Sequence, residues 1–565
     1  MQTPSFGGAL NNNNSRTGAD MLGIMMDKQL NIADILEYAA QYNTDAEIVT
    51  RQVEGGIHRY RYKDALLRTR QLANALRALG VHQGDRVATL AWNTYRHLEL
   101  YYAVSGMGAV IHTVNPRLFA EQIIYIINHA EDKYVFVDLT FVPLLEAVQD
   151  HIPDVKGFVV MTDRAHMPNS SLSNLLCYEE LLAAQSPHFD WPEFDEKTAA
   201  GLCYTSGTTG NPKGVMYSHR STVLHAISSC RASAMNLGPL SRVLPVVPMF
   251  HVCAWGVPYS APIAGSSILF PGAGMDGASL YALIDGEKAT SLLGVPTVWL
   301  GLLNYIDSVK GNLDSVENVV IGGSAAPRSM MEKFHDKYGV FPIHAWGMTE
   351  MSPMGCLCVK TPFLMKADAD TRAAIQSKQG RPVFGVEMKI VDDQDRELPH
   401  DGKTFGRLMV RGSWVASGYY KNDDRSAFRA GWFDTGDVST IDADGYMQIV
   451  DRSKDVIKSG GEWISSIELE NYAVGHPAVA EACVVGVPHP KWDERPLLLI
   501  VRKQGVPDAE CSKEAIIGYL ADKVARWWIP DDVVFVDALP HTATGKLLKT
   551  EVRAKFEKHY LDLAS

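Results

Sequence analysis

The pattern of apolar and polar positions predicts alternating strands and helices in the first third of the chain. From residue 64 to 162, short apolar runs rich in β-branched residues alternate with stretches that have the 3.6-residue period of amphipathic helices. The predicted strands cover 86–92, 109–114, 133–138 and 157–162, and the predicted helices include 119–131 and 141–150. Strands that alternate with helices in this way predict a parallel sheet covered on both faces.

The pattern changes in the second half of the chain. The strand and helix alternation resumes at 318–321, with a helix predicted to begin at Pro327. After about residue 383, short alternating strands at 387–391, 407–411 and 446–450, with a hairpin turn at Asp444-Gly445, predict a small β-rich subdomain. A charged pentad at 451–455 then precedes a compact α+β unit. In that unit Ser465 and Glu468 predict a helix start, followed by strands at 482–487, 497–501 and 533–536 and a helix at 512–527.

Composition and charge exclude several classes of protein. The chain has 565 residues, of which 46% are hydrophobic and 21% charged, so it is not intrinsically disordered. Its 53 basic and 65 acidic residues give a net charge of −12, which argues against nucleic acid as a partner. The eight cysteines have no C-x-x-C spacing, and the first 20 residues lack the basic and apolar regions of a signal peptide. We therefore expect reduced, mostly buried thiols and a cytoplasmic protein.

The stretch 243–275 contains no Asp, Glu, Lys or Arg and is long enough to span a bilayer. Prolines at 245, 248, 258 and 262 interrupt it, and each would disrupt a lipid-exposed helix. We expect a buried apolar wall of a folded domain here and no integral membrane segment.

The segment 205–214 reads T-S-G-T-T-G-N-P-K-G. Small hydroxyl residues and glycines let backbone N–H and side-chain O–H groups converge on a phosphate, and Lys213 adds a positive charge. The segment is not a Walker A loop, because no G-x-x-x-x-G-K-[ST] can be read in it. It predicts a phosphate-binding loop.

This loop resembles that of the acyl-adenylate-forming (AMP-binding) superfamily, which includes acyl-CoA synthetases, luciferases and peptide-synthetase adenylation domains. Further motifs of that superfamily follow in its order and extend the resemblance over roughly residues 30–555. They are G-G-S-A-A-P at 322–327, A-W-G-M-T-E at 345–350, D-T-G-D at 434–437, D-R-S-K-D at 451–455 and T-G-K at 544–546. One departure is Trp346, where many members have Tyr; either ring can stack on adenine.

The resemblance implies the residues of a nucleotide site. It assigns nucleotide binding to Thr205, Ser206, Gly207, Thr208, Thr209, Gly210, Lys213, Gly323, Ser324, Ala325, Trp346, Gly347, Met348, Thr349, Asp437 and Arg452. Within this set, Trp346 would pack on adenine, Thr349 would meet the α-phosphate and Asp437 would bind the ribose hydroxyls. Glu350 would hold Mg²⁺, so the expected cofactor is Mg²⁺, with ATP and CoA as co-substrates. The expected catalytic residues are Lys546, Thr205, Thr349 and His251.

These residue types suit the activation of a carboxylate as its adenylate. The substrate carboxylate and the triphosphate repel each other, and negative charge spreads over the α-phosphate in the transition state, so donors, a metal and a cation are needed there. Lys546 would be that cation. It would then obstruct the thiol in the second half-reaction, which explains the family's rotation of a C-terminal domain about Lys454. The face rotated in would include Lys458, Ser459, Gly460, Gly461, Glu462 and Trp463.

The expected architecture is therefore α/β, with doubly wound sheets and a β-rich subdomain before a small mobile α+β domain. The expected limits are a flexible leader at 1–21, an N-terminal AMP-binding and acyl-binding domain at 22–450, a hinge at 451–456 and a C-terminal mobile domain at 457–565. The resemblance also implies a homodimer.

The expected acyl site lies in the charge-free stretch, at His251, Val252, Trp255 and Gly256. No Asp or Lys there could pair with an amino-acid ammonium, which favours an apolar acyl chain. The wider sequence is similar to bacterial medium- and long-chain fatty-acid–CoA ligases, in which an aromatic at the position of Trp255 gates the acyl tunnel. We expect a fatty-acid–CoA ligase. The alternatives are a ligase for 3-methylmercaptopropionate or an aryl acid and, from another class, a luciferase-like oxygenase.

Overall fold

The computed structural model of the protein describes residues 23–205, 211–459, 462–503, 505–541 and 547–564. Its strands are β1 (Glu47–Arg51), β2 (Ile57–Arg61), β3 (Arg86–Leu90), β4 (Val110–Thr113), β5 (Asp132–Val137), β6 (Gly157–Val160), β7 (Leu175–Cys177), β8 (Ala199–Tyr204), β9 (Gly214–Ser218), β10 (Arg242–Pro245), β11 (Ser267–Phe270), β12 (Ser291–Gly294), β13 (Asn318–Ile321), β14 (Phe341–Gly347), β15 (Met354–Leu357), β16 (Arg381–Pro382), β17 (Val386–Val391), β18 (Phe405–Gly412), β19 (Phe428–Arg429), β20 (Trp432–Ile441), β21 (Met447–Arg452), β22 (Ile457–Ser459), β23 (Glu462–Ile464), β24 (Val479–His489), β25 (Asp493–Arg502) and β26 (Asp532–Phe535).

Right-handed helices connect and cover these strands. They cover Ile32–Tyr42, Tyr62–Ala78, Tyr95–Gly106, Ala120–Ala130, Val142–Val148, Tyr178–Ala183, His219–Cys230, Val257–Ala264, Gly277–Glu287, Pro296–Val309, Arg328–Glu332, Pro362–Lys366, Ala369–Gln376, Ser466–Val474, Lys513–Ala521, Lys549–Phe556 and His559–Ala564. The strands and helices predicted between residues 86 and 162 are confirmed, and each observed end lies within two residues of the predicted one.

Two large, mostly parallel sheets form the body of the molecule. One has the order β7-β6-β5-β3-β4-β8-β9 and is parallel except for the β8–β9 pair. The other has the order β16-β15-β14-β13-β12-β10-β11-β1-β2, with a parallel centre from β14 to β1 and antiparallel edges. This arrangement confirms the predicted α/β class.

The helix Tyr95–Gly106 joins the two sheets through the core. All of its residues are buried, and it contacts β4 and β8 of one sheet and β1 of the other. A helix that is covered on every side must satisfy its polar groups internally. Glu99, for example, accepts hydrogen bonds from the Arg68 guanidinium at 2.7 Å and from the Tyr178 hydroxyl at 2.6 Å.

The remaining strands form two smaller sheets. The first is antiparallel, in the order β17-β18-β20-β19 with β21 paired to β20, and it contains the predicted turn at Gly445, whose φ is +82°. The second, β23-β22-β25-β24 with β26 parallel to β25, packs its helices around hydrophobic clusters drawn from residues 457–560. Its first helix is capped as predicted, since the Ser465 hydroxyl accepts from the Glu468 amide at 3.1 Å.

One prediction in this last unit was wrong. The helix expected over 512–527 covers Lys513–Ala521 only, and Ala525 has an extended ψ of 140°. The residues after Ala521 continue the apolar pattern of the sequence, but the chain there is no longer helical. The Arg495 guanidinium donates to the carbonyls of Trp527 at 2.7 Å and Ile529 at 2.9 Å and holds the chain in a short turn.

The charge-free stretch 243–275 is a mostly buried wall, as predicted. It contains β10, the helix Val257–Ala264 and β11, and its strand residues are almost all buried. Among the described residues, no helix is both long enough and apolar enough to cross a membrane.

Candidate active site

Two of the predicted motifs begin where neighbouring parallel strands end. β13 and β14 are paired in parallel, so the loop 322–327 and the segment 346–350 emerge at the same sheet edge. Glycine allows their close approach: a Cβ on Gly322 would lie 3.1 Å from the carbonyl oxygen of Ala345. Gly323, with a φ of +85°, turns the chain away from the strand. Ligands of open α/β sheets bind at such carboxyl edges.

The base of the phosphate loop is closed by hydrogen bonds between its two ends. The Thr205 amide donates to the Lys213 carbonyl at 2.9 Å, and the Lys213 amide donates to the Thr205 hydroxyl oxygen at 3.2 Å. The antiparallel strands β8 and β9 lead into and out of the loop. The predicted ligands Ser206, Gly207, Thr208, Thr209 and Gly210 lie outside the described residues.

Glu350 lies near the end of this loop, in a buried position. The Lys213 ammonium is 4.9 Å from the centroid of the Tyr419 ring, and the Tyr419 hydroxyl donates to Oε1 of Glu350 at 2.7 Å. Glu350 is 5% exposed, and burial raises the pKa of its carboxyl group above the ordinary value. The hydrogen bond from Tyr419 and the charge of Arg452 act in the opposite direction on that pKa.

This carboxylate fits the expected Mg²⁺. The described residues contain no group of three or more His, Cys, Asp or Glu that could hold a metal alone. Mg²⁺ commonly takes one or two carboxylates and completes its shell with substrate phosphates and waters. One buried carboxylate beside the predicted phosphate loop would supply the protein's share of such a shell.

Trp346, Asp437 and Arg452 form a second connected group. The Trp346 indole N–H donates to Oδ2 of Asp437 at 3.0 Å, and the Arg452 guanidinium pairs with Oδ1 at 2.8 Å. The Trp346 ring lies against Gly355, where a Cβ would come within 2.5 Å of it. The structure therefore brings the Trp346 ring to a carboxylate and a guanidinium that lie more than 90 residues further along the chain.

The segment that carries Gly347, Met348 and Thr349 is held by backbone contacts. A Cβ on Gly347 would lie 2.0 Å from the Pro353 carbonyl oxygen, and that oxygen accepts from the Met348 amide at 3.1 Å. The Tyr217 hydroxyl donates to the Thr349 carbonyl at 2.7 Å. These contacts fix the orientation of the segment relative to β9.

The predicted acyl residues form an unusual backbone turn. Val252, Cys253, Ala254 and Trp255 have φ angles of 46°, 51°, 48° and 56°, and Gly256 follows at 81°. Left-handed backbone costs about 1–2 kcal/mol per residue for L-amino acids other than glycine. All four residues are buried, and the Trp255 ring reaches to within 3.1 Å of the position of a Cβ on Gly322. His251, which precedes the turn, is partly buried.

Sequence reasoning did not find two side chains that support this site. His225 accepts a hydrogen bond from the Met354 amide at 3.3 Å, and its ring fills the space where a Cβ on Gly256 would come within 2.6 Å. Burial lowers the pKa of His225 to about 3, so the ring is neutral. His225 lies within a helix and Tyr419 within a loop, and neither has a local pattern that would mark it.

The C-terminal predictions fall on a linker and a hairpin. In the pentad, Lys454 is exposed, while Oδ2 of Asp451 accepts from the Ser466 amide at 2.7 Å and hydroxyl at 2.6 Å. Lys458 and Ser459 lie on β22, and Glu462 and Trp463 lie on β23. Gly460, Gly461 and the loop with Lys546 lie outside the described residues.

The family follows from comparison with known proteins. The sequence profile described as AMP-binding enzyme matches residues 36–420, and the profile described as AMP-binding enzyme C-terminal domain matches residues 468–546. The chain therefore belongs to the AMP-binding enzyme family.

Individual relatives align over nearly the whole chain. A 3-methylmercaptopropionyl-CoA ligase of Ruegeria lacuscaerulensis is 50% identical over 95% of this chain and 99% of its own. A medium-chain-fatty-acid–CoA ligase of Ectopseudomonas oleovorans is also 50% identical, over 95% of this chain and 98% of its own. Among solved structures, the anthranilate CoA ligase AuaEII in complex with anthranoyl-AMP matches with a TM-score of 0.84 at 26% identity, covering 95% of this chain and 99% of that one.

Proposed function

We propose that the chain is an ATP-dependent, AMP-forming acyl-CoA synthetase, an acid–thiol ligase. The observation that carries the proposal is that the phosphate-loop base, Glu350 and the Trp346–Asp437–Arg452 group, contributed by three different sheets, meet around the carboxyl end of β14. A site with a phosphate loop, a buried metal-binding carboxylate and a ribose-binding carboxylate suits nucleotide activation of an acid.

The first half-reaction joins the acid to AMP. Trp346 stacks on adenine, Asp437 binds the ribose hydroxyls, and Thr205 and Thr349 donate to phosphate oxygens. Glu350 would hold Mg²⁺ together with phosphate oxygens, and the bound ion would offset part of the triphosphate charge. Lys546 stabilises the charge that develops on the α-phosphate as the carboxylate oxygen attacks and pyrophosphate leaves.

The second half-reaction transfers the acyl group to CoA. The C-terminal unit turns about Lys454, which removes Lys546 and presents the hairpin of β22 and β23. The CoA thiol attacks the acyl carbon, and AMP leaves. On this account the functional limits are those predicted from the sequence: 22–450 for the nucleotide and acyl domain, 451–456 for the hinge and 457–565 for the mobile domain.

The acid that this site best suits is a medium- or long-chain fatty acid. His251, Val252, Trp255 and Gly256 lie in a stretch without acidic or lysine side chains, and Val252 and Trp255 are buried. The equal identity to a 3-methylmercaptopropionyl-CoA ligase keeps that short sulfur-containing acid as the alternative. Aryl acids are the third candidate, because the similar structure AuaEII is an anthranilate CoA ligase.

A panel of acids separates these candidates. The purified protein is supplied with ATP, Mg²⁺, CoA and saturated acids of increasing length, 3-methylmercaptopropionate and an aryl acid, and acyl-CoA and AMP are measured. For fatty acids, kcat/KM should rise roughly fourfold per methylene up to an optimum, since each buried CH₂ contributes about 0.8 kcal/mol. A maximum at 3-methylmercaptopropionate would support the alternative. Pyrophosphate release without any acyl-CoA would contradict the proposal, and oxygen consumption would favour a luciferase-like oxygenase.

We further propose that the enzyme acts in the cytoplasm. All eight cysteines are free thiols, which suits a reducing cytoplasm where ATP and CoA are supplied. We also propose a homodimer, which sedimentation of the purified protein would test directly.

A further inference from the structure

Two cysteines from distant parts of the chain meet beside the active site. Cys203 lies on β8, two residues before Thr205, and Cys253 lies in the left-handed turn of the acyl stretch. Their Sγ atoms are 3.9 Å apart, and the residues are 2% and 6% exposed. The nucleotide and acyl chemistry described above uses neither thiol.

The surroundings of the pair favour reaction at Cys203. Its Sγ is 3.2 Å from the Thr113 hydroxyl, which can donate a hydrogen bond to it. The hydrogen bond from the Cys253 thiol, with that from Thr113, lowers the pKa of Cys203 below the ordinary value for a thiol, and this effect outweighs burial, which acts in the opposite direction. The pKa of Cys253 is raised, and the thiolate is the reactive form of cysteine, so Cys203 is the sulfur of the pair that is favoured to react first.

The two cysteines differ in how the surrounding structure holds their backbones. Cys203 belongs to a strand paired on both sides, whereas Cys253 lies in a turn with a φ of 51° that no strand supports. A disulfide has an S–S bond of about 2.05 Å, so the sulfur atoms must approach by about 2 Å. We expect the turn to supply that movement.

We propose that Cys203 and Cys253 form a dithiol modification site that hydroperoxides oxidise to an intramolecular disulfide, which blocks the enzyme. The effect on activity rests on the proposed function. The bond would tie the strand that leads into the phosphate loop to the turn that carries Trp255, and so fix both binding elements in one arrangement.

The reaction balances with one hydroperoxide. The Cys203 thiolate attacks the peroxide, the O–O bond breaks, and the leaving oxygen departs as an alcohol or water, which produces a sulfenic acid. The sulfur of Cys253 then attacks the sulfenic sulfur, the S–O bond breaks, and hydroxide leaves with the proton of the Cys253 thiol as water. Two thiols are oxidised and one peroxide is reduced. A dithiol reductant reverses the modification.

The test begins with the wild-type protein and hydrogen peroxide. Peptide mapping without reductant should find a Cys203–Cys253 disulfide, with a loss of two hydrogen atoms from the intact mass. Most of the acyl-CoA-forming activity should be lost and should return with dithiothreitol. The mapping requires no activity, so an inactive preparation that still forms this disulfide would count against the proposed function and not against the dithiol site.

Cysteine variants then show which residues cause the reversible inactivation. Cys203→Ala and Cys253→Ala, each compared with its own untreated activity, should lose the reversible inactivation. Cys230→Ser is the matched control, since Cys230 is the one cysteine that is not buried, and it should respond like the wild type. If peroxide yields no Cys203–Cys253 disulfide, or if the disulfide forms with full activity retained, the proposal is wrong. Persistent reversible inactivation in Cys203→Ala would also overturn it.

Discussion

At the scale of single residues, the indole of Trp346 does more than offer a flat surface. Its N–H donates to the Asp437 carboxylate that also pairs with Arg452, so the orientation of the ring is coupled to the carboxylate that we propose binds the ribose. Trp346→Phe keeps an aromatic face but removes this hydrogen bond. Because such a bond contributes about 0.5–1.5 kcal/mol, the KM for ATP should rise roughly two- to tenfold with little change in thermal stability.

A matched tryptophan provides the control. The Trp191 indole donates to a carboxylate oxygen of Glu37 at 2.7 Å, and its ring packs against Phe189 and Gly106. Trp191→Phe should therefore leave the KM for ATP unchanged. Equal changes in the two variants would show that the Trp346 hydrogen bond has no specific role in nucleotide binding.

The buried side chain of His97 should make the stability of the folded protein depend on pH. Burial lowers the pKa of His97 to about 4, with its ring held between the Thr89 hydroxyl at 2.9 Å and the Trp92 carbonyl at 3.0 Å. The unfolded chain therefore binds a proton below about pH 6.5 that the folded protein does not. Stability from this group is complete above pH 6.5 and is lost as the pH falls toward 4, by about 2 kcal/mol at pH 5.

His97→Asn tests that loss, because the amide can still donate toward the Trp92 carbonyl and does not titrate. The thermal midpoint of the variant should fall less between pH 7 and pH 5 than that of the wild type. His82→Asn is the control, at a side chain that is 82% exposed. Its thermal midpoint should fall as much as that of the wild type. An unchanged pH dependence in His97→Asn would mean that His97 is not held neutral in the folded protein.

At the scale of elements, the left-handed turn Val252–Trp255 is the feature that departs most from ordinary chain geometry. Two buried alanines allow its strain to be measured: Ala254 in the turn and Ala261 in the following helix are both 0% exposed. Ala→Gly removes the same buried methyl group at each position. At Ala261 it should destabilise the protein by about 2 kcal/mol, from lost burial and lower helix propensity.

At Ala254 the lost burial is offset, because glycine adopts a left-handed backbone without the penalty of about 1–2 kcal/mol. Ala254→Gly should therefore lie within about 1 kcal/mol of the wild type in denaturant unfolding. Equal destabilisation by the two substitutions would contradict a left-handed turn at this position.

The elements also show how far sequence reasoning reached. Regular patterns predicted the parallel strands between residues 86 and 162 and the Ser465 helix cap, because these depend on periodicity and local hydrogen bonds. The left-handed turn could not be predicted, since Val, Cys, Ala and Trp carry no preference for positive φ. The roles of Tyr419 and His225 were equally hidden, because each depends on partners distant in the chain. The motif residues were easier to predict, since hydroxyl, glycine and acidic residues are types that bind phosphate or ribose in proteins.

At the scale of the whole molecule, the contacts around the pentad 451–455 cross the expected pivot. Asp451 precedes Lys454 but is bound to Ser466, and the Lys549 ammonium lies 2.5 Å from the Ser466 hydroxyl and 2.8 Å from Glu470. Asp455 follows the pivot and pairs with Arg553 at 2.8 Å. Lys549 and Arg553 lie one turn apart on the helix that follows Lys546 in the chain. A rotation of the C-terminal unit would therefore have to rearrange the contacts of Asp451 while the Asp455–Arg553 pair moves as one.

The central claim is that a lysine on the C-terminal unit serves adenylation and not thioester formation. The most direct measurement compares the two half-reactions in Lys546→Ala, with exposed Lys558→Ala as the control. Exchange of labelled pyrophosphate into ATP should fall by roughly 10²–10³-fold, because a charge that stabilises the transition state is lost. Thioester formation from supplied acyl-AMP and CoA should stay within a few-fold of the wild type. A parallel loss of both half-reactions, or retained pyrophosphate exchange, would contradict the account.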